Sequence, residues 1–215
     1  MKMESVESPS FSRYGRIWSH LDASEAIAKA KAILPETDRV AYQASVSELE
    51  EPSAFNDAVQ SQIYGGMPVE VGWCYGHNLQ LRGVEYHKGI EVLVCITDLV
   101  LLLGHRDDIV FGDEIRYDMA NVVAFYAPAG SVVELFPSSL HMAPVHTTKG
   151  GSFANLVILP KGTNTPMEMP IEKLGEARLF SRTNSWVIVH VDATPMIERG
   201  LYPGAIGEPV VVNPI

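Results

Sequence analysis

The sequence has few cysteines, a deficit of basic residues and little that marks a familiar catalytic class. Cys74 and Cys95 are the two cysteines among 215 residues, and no Cys-x-x-Cys pair occurs, which argues against a zinc finger or a dithiol redox site. Both lie in apolar runs, so we expect buried free thiols in a reducing cytoplasm, with one disulfide as the alternative. The net charge of −10 argues against nucleic acid and anionic membranes as partners.

Long apolar segments are also missing. The longest run, from Asp98 to Gly104, is far too short to cross a bilayer. The first residues, Met1 to Arg13, are polar and lack the apolar core of a secretory signal, so we expect a cytoplasmic protein. Neither a Gly-x-Ser-x-Gly elbow nor a phosphate-binding Walker loop is present, which argues against those two chemistries.

What the chain does contain, from Met67 onward, is a series of short apolar runs separated by turn residues. Many short strands at such spacing are typical of an all-β sandwich or barrel, and the alternation of strand and helix that a parallel sheet needs is absent. The predicted strands are 69–75, 80–87, 91–96, 99–103, 122–126, 131–136, 142–146, 153–159 and 186–191.

Two helical segments are predicted before this region. Residues 23–34 are rich in strong helix formers and end at Pro35, and a second segment runs from Ser47 to about Tyr64, before a Gly-Gly break. The sequence therefore predicts an N-terminal helical and strand extension over 1–66 that packs on the barrel, a β-barrel domain over 67–195, and a C-terminal surface tail over 196–215.

The most informative stretch for chemistry is 85–91, followed at a distance by His141. Glu85, His87 and Glu91 are all odd-numbered in strand-like sequence, so they are predicted to share one face. Two carboxylates and an imidazole inside a barrel would be costly without a partner, and a divalent cation removes that cost. The alternative is an ordinary solvated strand face, because polar residues at this spacing occur on any half-exposed strand.

These residues resemble the first motif of the cupin family, which has a His-x-His pair followed by a glutamate. His87 matches the second histidine and Glu91 matches the glutamate, whereas Glu85 stands at the first histidine. Leu79 and Asp98 occupy the two positions where the motif has glycine. The resemblance implies a metal site at Glu85, His87, Glu91 and His141, and the extra carboxylate favours a harder ion.

A shortened form of the second cupin motif follows. Gly130, Pro137 and His141 match it, while Ser139 and Val145 replace its second glycine and its asparagine. The resemblance implies a cupin double-stranded β-helix, that is, a jelly-roll barrel with added N-terminal helices. The implied cofactor is a divalent metal ion (Mn, Zn, Fe or Ni, with Mn or Zn favoured), and cupins often form homodimers.

The chain is also similar, over most of its length, to a family of uncharacterised bacterial cupin-like proteins. This similarity implies the fold and no activity. The residues that carry it are 76–78, 85–91, 97–104, 128–130, 133–135, 140–144 and 159–166.

Four further residues are candidates for roles around the metal. Glu134, beside the second motif, is predicted as a general base, with an outward-facing edge position as the alternative. His77 and Asn78 precede the motif strand in a tight turn and are predicted to contact substrate, although Asn favours such turns for backbone reasons alone. Lys161 follows a strand end, where a cation would suit a carboxylate or phosphate substrate; otherwise it is a surface lysine.

Two functions fit these patterns. The first is a metal-dependent enzyme acting on a small carbohydrate or sugar acid, with isomerase, epimerase or lyase chemistry through a metal-stabilised enediolate. The second is a non-catalytic cupin that binds or senses a small molecule. A fold of this kind hosts many functions, so fold alone does not decide between them.

Overall fold

Strands dominate the computed structural model, which describes residues 2–213. The first nine are β1 (Met3–Ser5), β2 (Gly15–Ile17), β3 (Ala41–Gln43), β4 (Val69–Gly76), β5 (Gln80–Leu81), β6 (Gly83–Tyr86), β7 (Glu91–Cys95), β8 (Leu99–His105) and β9 (Tyr117–Asp118). The others are β10 (Val123–Ala127), β11 (Val132–Leu135), β12 (Ser139–Leu140), β13 (Val145–His146), β14 (Phe153–Pro160), β15 (Phe180–Arg182), β16 (Ser185–His190), β17 (Tyr202–Ile206) and β18 (Val210–Val211).

Helices are short and few by comparison. They are α1 (Ser24–Ile33), α2 (Ala54–Ala58), which continues into a π-helical turn at Val59–Ile63, and α3 (Thr194–Ile197). Turns of 3-10 helix lie at Pro9–Arg13, Arg106–Asp108, Met119–Asn121 and Gly175–Leu179. None of the helices in the described part of the chain combines the length and the apolar character that a bilayer crossing requires.

Two main sheets face each other as a jelly-roll-like β-sandwich. The first has the order β1-β10-β8-β12, with β13 also pairing with β8, and the second has the order β2-β11-β7-β14-β4-β3. Alternate residues of β8 and β10 in one sheet, and of β7, β11 and β14 in the other, form the apolar core between them. The predicted all-β jelly-roll class is confirmed.

A third sheet, β15-β16-β17-β9 with β6 on the edge of β16, packs against the far face of the first sheet. The outer face of the second sheet is covered by α1 and α2, whose Ala30 and Phe55 pack on Val92 and Val94 of β7. Each main sheet therefore buries both of its faces, which accounts for strands such as β7 and β8 that are apolar almost without interruption.

The ends of the chain are more closely integrated than the sequence predicts. The N-terminal strands are edge strands of the sandwich itself: β1 pairs in parallel with β10, β2 pairs with β11, and β3 pairs with β4. The expected surface tail over 196–215 is wrong in one respect, because β17 inserts between β16 and β9 and buries Ala205 completely. Proline and glycine there accompany a strand rather than a loop.

Candidate metal centre

Four residues that the sequence singled out converge at one end of the sandwich. Glu85 lies in β6, His87 in the turn after it, Glu91 at the start of β7, and His141 directly after β12. Glu85 and His141 form a two-way backbone bridge, in which the Glu85 N–H donates to the His141 carbonyl (2.7 Å) and the His141 N–H donates to the Glu85 carbonyl (2.9 Å). This bridge joins the third sheet to the β12 end of the first sheet.

The side chains of Glu85 and Glu91 each approach the rings of His87 and His141. One ligand-type atom each from Glu85, His87 and His141 lies within 4.8 Å of the others. The Glu91 Oε2 atom is 3.0 Å from the His141 Nε2 atom and 3.3 Å from the His87 Nε2 atom. The convergence was predicted, but the single-strand argument for it was wrong, because a turn at Lys88-Gly89 separates β6 from β7.

Both imidazoles are held with one nitrogen ready to act as a ligand. The Nδ1 atom of His87 is 2.7 Å from the backbone carbonyl of Asn184, and the Nδ1 atom of His141 is 3.4 Å from the carbonyl of Ser139. A carbonyl can only accept, so in the neutral ring each Nδ1 carries the proton and each Nε2 carries a lone pair.

The two Nε2 atoms lack hydrogen-bond partners within residues 2–213 although both are buried. The Glu91 Oε2 atom lies 3.3 Å from the Nε2 atom of His87 and 3.0 Å from that of His141, and it forms an ion pair with either ring only when that ring is protonated. Buried polar atoms without partners are costly, and two of them aimed at one region beside two carboxylates fit a divalent cation. The donor set of two oxygens and two nitrogens suits a divalent metal ion.

The electrostatics of the metal-free cluster are those of a coupled ion pair. Burial alone would lower the pKa of His141, but the carboxylate of Glu91 outweighs it and raises the pKa to about 9. Burial alone would raise the pKa of Glu91, but the positive charge of His141 holds that pKa well below its usual range. Glu91 therefore remains ionised, as a ligand for a cation must be.

The outer side of the His87 turn is fixed by a polar and aromatic network. Tyr86 stacks on Trp186 with ring centroids 5.6 Å apart and donates its hydroxyl proton to Glu176 at 2.7 Å. Lys88 and Arg106 also bond Glu176, each at 2.7 Å. These contacts anchor the residues on either side of His87 and so hold its ring in place.

A small cavity of about 40 Å³ opens beside the cluster. Its walls include Glu85, Glu91 and His141, and also Tyr42 of β3 and Asn155 of β14. Sequence reasoning missed the last two. Asn155 had a visible signal, since it is the polar residue within the apolar run 153–159, whereas nothing near Tyr42 distinguishes it from other exposed strand residues.

Glu134 lies elsewhere, and the predicted base position is wrong. On the paired strands β11 and β7, Leu135 is opposite Glu91 and Glu134 is opposite Val92, so Glu134 projects from the other face of the sheet. There its carboxylate accepts from the Nε atom of Arg16 (2.8 Å) and the Nε1 atom of Trp18 (2.7 Å). Glu134 is therefore neither an exposed edge residue nor a residue of the His/Glu cluster.

The three predicted substrate contacts also lie outside the cavity walls. Asn78 uses its side chain within the turn, donating to the carbonyls of Ala143 and Pro144 and accepting from the N–H of Gln80. His77 is exposed, and its Nδ1 atom is 2.7 Å from the carbonyl of Gly151. Lys161 is exposed at the end of β14. The structure thus assembles the four metal candidates and separates the other four residues from them.

Fold and site together define a jelly-roll β protein with a buried His/Glu cluster at one end of the sandwich. The chain belongs to a family described as a domain of unknown function (DUF4867), whose model matches residues 3–210. The uncharacterised family predicted from the sequence is therefore confirmed. No curated protein matches the chain.

Two solved structures are similar to part of the chain. One, of the oxalate decarboxylase of Bacillus subtilis, is 11% identical with a TM-score of 0.33, and the alignment covers 60% of this chain and 27% of that chain. The other, an RmlC-like cupin protein of Ralstonia eutropha, is 12% identical with a TM-score of 0.27, and the alignment covers 60% of each chain.

Proposed function

We propose that the protein is a metal-dependent enzyme that binds a divalent ion through Glu85, His87, Glu91 and His141. The proposed substrate class is a small carbohydrate or sugar acid, and the proposed chemistry is that of an isomerase, epimerase or lyase. The single observation that supports this most is the pair of buried Nε2 atoms of His87 and His141, which have no hydrogen-bond partner in the described part of the chain.

Charge balance supports a cation at this place. The carboxylates of Glu85 and Glu91 together match a charge of two, and neutral imidazoles then complete the set without excess charge. A divalent ion bound here supplies Lewis-acid polarisation of substrate oxygens and acidifies a neighbouring C–H bond.

The two carboxylates differ in how open they are to the cavity. Glu91 is enclosed between the two histidines, whereas Glu85 is only half-buried and forms part of the cavity wall. Glu85 is therefore the ligand carboxylate that is more open to a molecule in the cavity, whereas Glu134 lies on the other face of the sheet. The apolar wall formed by Leu93 and Val157 limits the access of water to the cavity.

Metal content tests the proposal. Untagged protein is produced in medium containing Mn, Fe, Zn and Ni and analysed for bound elements, together with the variants His87→Ala and His20→Ala. His20 is an exposed histidine whose Nε2 atom is 3.0 Å from the side-chain oxygen of Gln62, so it serves as the matched control. Stoichiometric metal is expected in the wild type and in the control but not in His87→Ala. A metal-free wild type overturns the proposal.

Activity is then tested on aldoses, ketoses and uronates with the metal-loaded wild type. Glu85→Gln is expected to lose bound metal and turnover together, since the amide is an uncharged and weaker ligand, and Glu134→Gln is expected to retain both. Loss of activity in Glu134→Gln without loss of metal or of folding contradicts the location of the site.

A second candidate function, a non-catalytic cupin that binds a small molecule, has one observation in its favour. The charge of Glu91 raises the pKa of His141 to about 9, so the pair is electrostatically satisfied at neutral pH without a metal. This candidate predicts no bound metal and unchanged ligand binding in the Glu91→Gln variant.

A further inference from the structure

We propose that the cavity selects a small uncharged molecule with neighbouring hydroxyl and carbonyl groups, a hydroxyaldehyde or hydroxyketone of two to four carbons, through Asn155 and Tyr42. This inference rests on the proposed metal site and narrows its substrate class. Size, charge and hydrogen-bonding capacity of the cavity each support it.

The size of the cavity limits the molecules that it can hold. The cavity measures about 40 Å³. Since one water-sized group needs roughly 10–15 Å³ on this measure, the space accommodates about three such groups. This space is far too small for a hexose and is closest in size to a short hydroxycarbonyl compound, part of which would remain in the mouth of the cavity.

The charged side chains in the cavity walls disfavour an anionic molecule. Within the part of the chain that the structure describes, the cavity walls carry two carboxylates, Glu85 and Glu91, and neither lysine nor arginine. A divalent ion neutralises these two carboxylates, which leaves no positive charge for an anionic substrate. A dicarboxylate entering this site would add negative charge beyond what the divalent ion balances, so an uncharged molecule is favoured.

Asn155 supplies a hydrogen-bond acceptor. It lies on β14 between Cys74 of β4 and Cys95 of β7, and it is fully buried. Its Nδ2 atom donates to the carbonyl of Leu156 at 3.1 Å, while its Oδ1 atom has no partner among residues 2–213. A buried amide oxygen without a partner is costly, and a substrate hydroxyl that donates to it removes the cost.

Tyr42 supplies the matching donor. Its position on β3 is opposite Cys74, so its side chain is on the same side of the sheet as Asn155. Its hydroxyl oxygen accepts from the Nδ2 atom of Asn164 at 2.9 Å, which leaves the O–H proton free to donate. A carbonyl oxygen is the natural acceptor for that proton, and an adjacent hydroxyl group of the same molecule is the donor that Asn155 lacks.

Calorimetric titration of the metal-loaded protein tests the inference. The probes are hydroxyacetone (neutral), glycolate (a monoanion of similar size), malonate (a dianion) and glucose (neutral but larger). Hydroxyacetone is expected to bind at least about tenfold more tightly than each of the other three, and tighter binding of either anion or of glucose overturns the inference.

Three variants locate the binding. Tyr42→Phe and Asn155→Leu are each expected to weaken hydroxyacetone binding about three- to tenfold, which corresponds to one lost hydrogen bond. The control is Tyr75→Phe, since Tyr75 is the neighbour of Cys74 on β4 and projects from the other side of the sheet. Tyr42 lies on an edge strand and is 44% exposed, so Tyr42→Phe decides the matter even if Asn155→Leu fails to fold. Unchanged binding in Tyr42→Phe overturns the role of Tyr42.

Metal analysis of the same samples separates the two proposals. A wild type without metal removes the proposed function and this inference together. A wild type that holds metal but prefers an anion, or that does not bind hydroxyacetone, removes this inference alone.

Discussion

Glu91 and Glu134 are two buried glutamates on neighbouring strands of one sheet, and the partners of their carboxylates differ. Glu91 is 6% exposed and Glu134 is 3% exposed, and they lie on β7 and β11 with their side chains on opposite faces. Glu134 accepts from Arg16 and Trp18. Glu91 faces two imidazole nitrogens that have no hydrogen-bond partner in the described residues.

The difference shows that burial of a carboxylate does not by itself mark a functional site. The partners of Glu134 are a permanent cation and an indole N–H, so its interactions are complete within the fold. Among the partners of Glu91, His141 has a raised pKa and releases its proton at high pH, so the interactions of Glu91 change with pH.

The largest expected effect is a loss of metal affinity in Glu91→Gln. The substitution removes an anionic ligand while preserving size, so we expect affinity to fall by more than about 100-fold, beyond what changes in outer-shell residues produce. Glu134→Gln is the matched control and is expected to bind metal like the wild type. Competition with a chromophoric chelator measures both, and equal losses in the two variants would contradict the contrast.

The second largest expected effect is a loss of stability when Glu134 is substituted. Glu134→Ala leaves the indole N–H of Trp18 without its acceptor, so we expect a loss of about 1–3 kcal/mol in the free energy of unfolding. Arg16 contributes little to this loss because its side chain is 56% exposed and regains water. Urea unfolding measures it. In the Glu134→Ala background, Trp18→Phe is expected to cost less than in the wild type, and equal costs would show that the two side chains are not coupled.

In the metal-free form of the cluster, the free energy of unfolding should depend on pH through His141. The pKa of His141 is about 9 in the folded protein, against an ordinary value of 6.5. Because the folded-state pKa is raised, the stabilisation is fully present below the ordinary value and is lost as the pH rises through 9. The loss amounts to at most about 3 kcal/mol.

Urea unfolding in the presence of a chelator, between about pH 6 and about pH 9.5, follows this loss. Glu91→Gln removes the charge that raises the pKa of His141 and should flatten the profile. A wild-type profile as flat as that of the variant would contradict the coupling between the two residues.

The smallest effect is expected at Asn184, whose backbone carbonyl accepts from His87. Asn184 has a φ of 54°, and its side-chain oxygen also accepts from the N–H of Lys88. Asn184→Gly retains both the conformation and the carbonyl, so metal affinity should fall less than about tenfold. Asn184→Ala should lose more, because a Cβ atom disfavours a positive φ. Chelator competition ranks the two, and an equal or larger loss in Asn184→Gly would show that the positive φ of residue 184 is not what supports His87.

Much of the fold could be predicted from the sequence because its strands are short, apolar and separated by clear turn residues. The four ligand candidates were also visible, since each is a polar residue in or beside an apolar run. The face on which Glu134 lies could not be predicted. Alternation relates the residues within one strand, and it does not say which residues of a neighbouring strand share their face. Tyr42 was not visible either, because β3 reaches the cavity only through its pairing with β4.

The backbone bridge between residues 85 and 141 leaves the side chain at position 85 free to vary. Two ladder hydrogen bonds set the position of the main chain at residue 85, and neither depends on the side chain there. Another side chain can therefore replace the glutamate with the main chain unmoved. For the proposed metal centre, exchange of this one residue offers evolution, or a protein engineer, a direct way to shift its preference between oxygen-seeking and nitrogen-seeking metals.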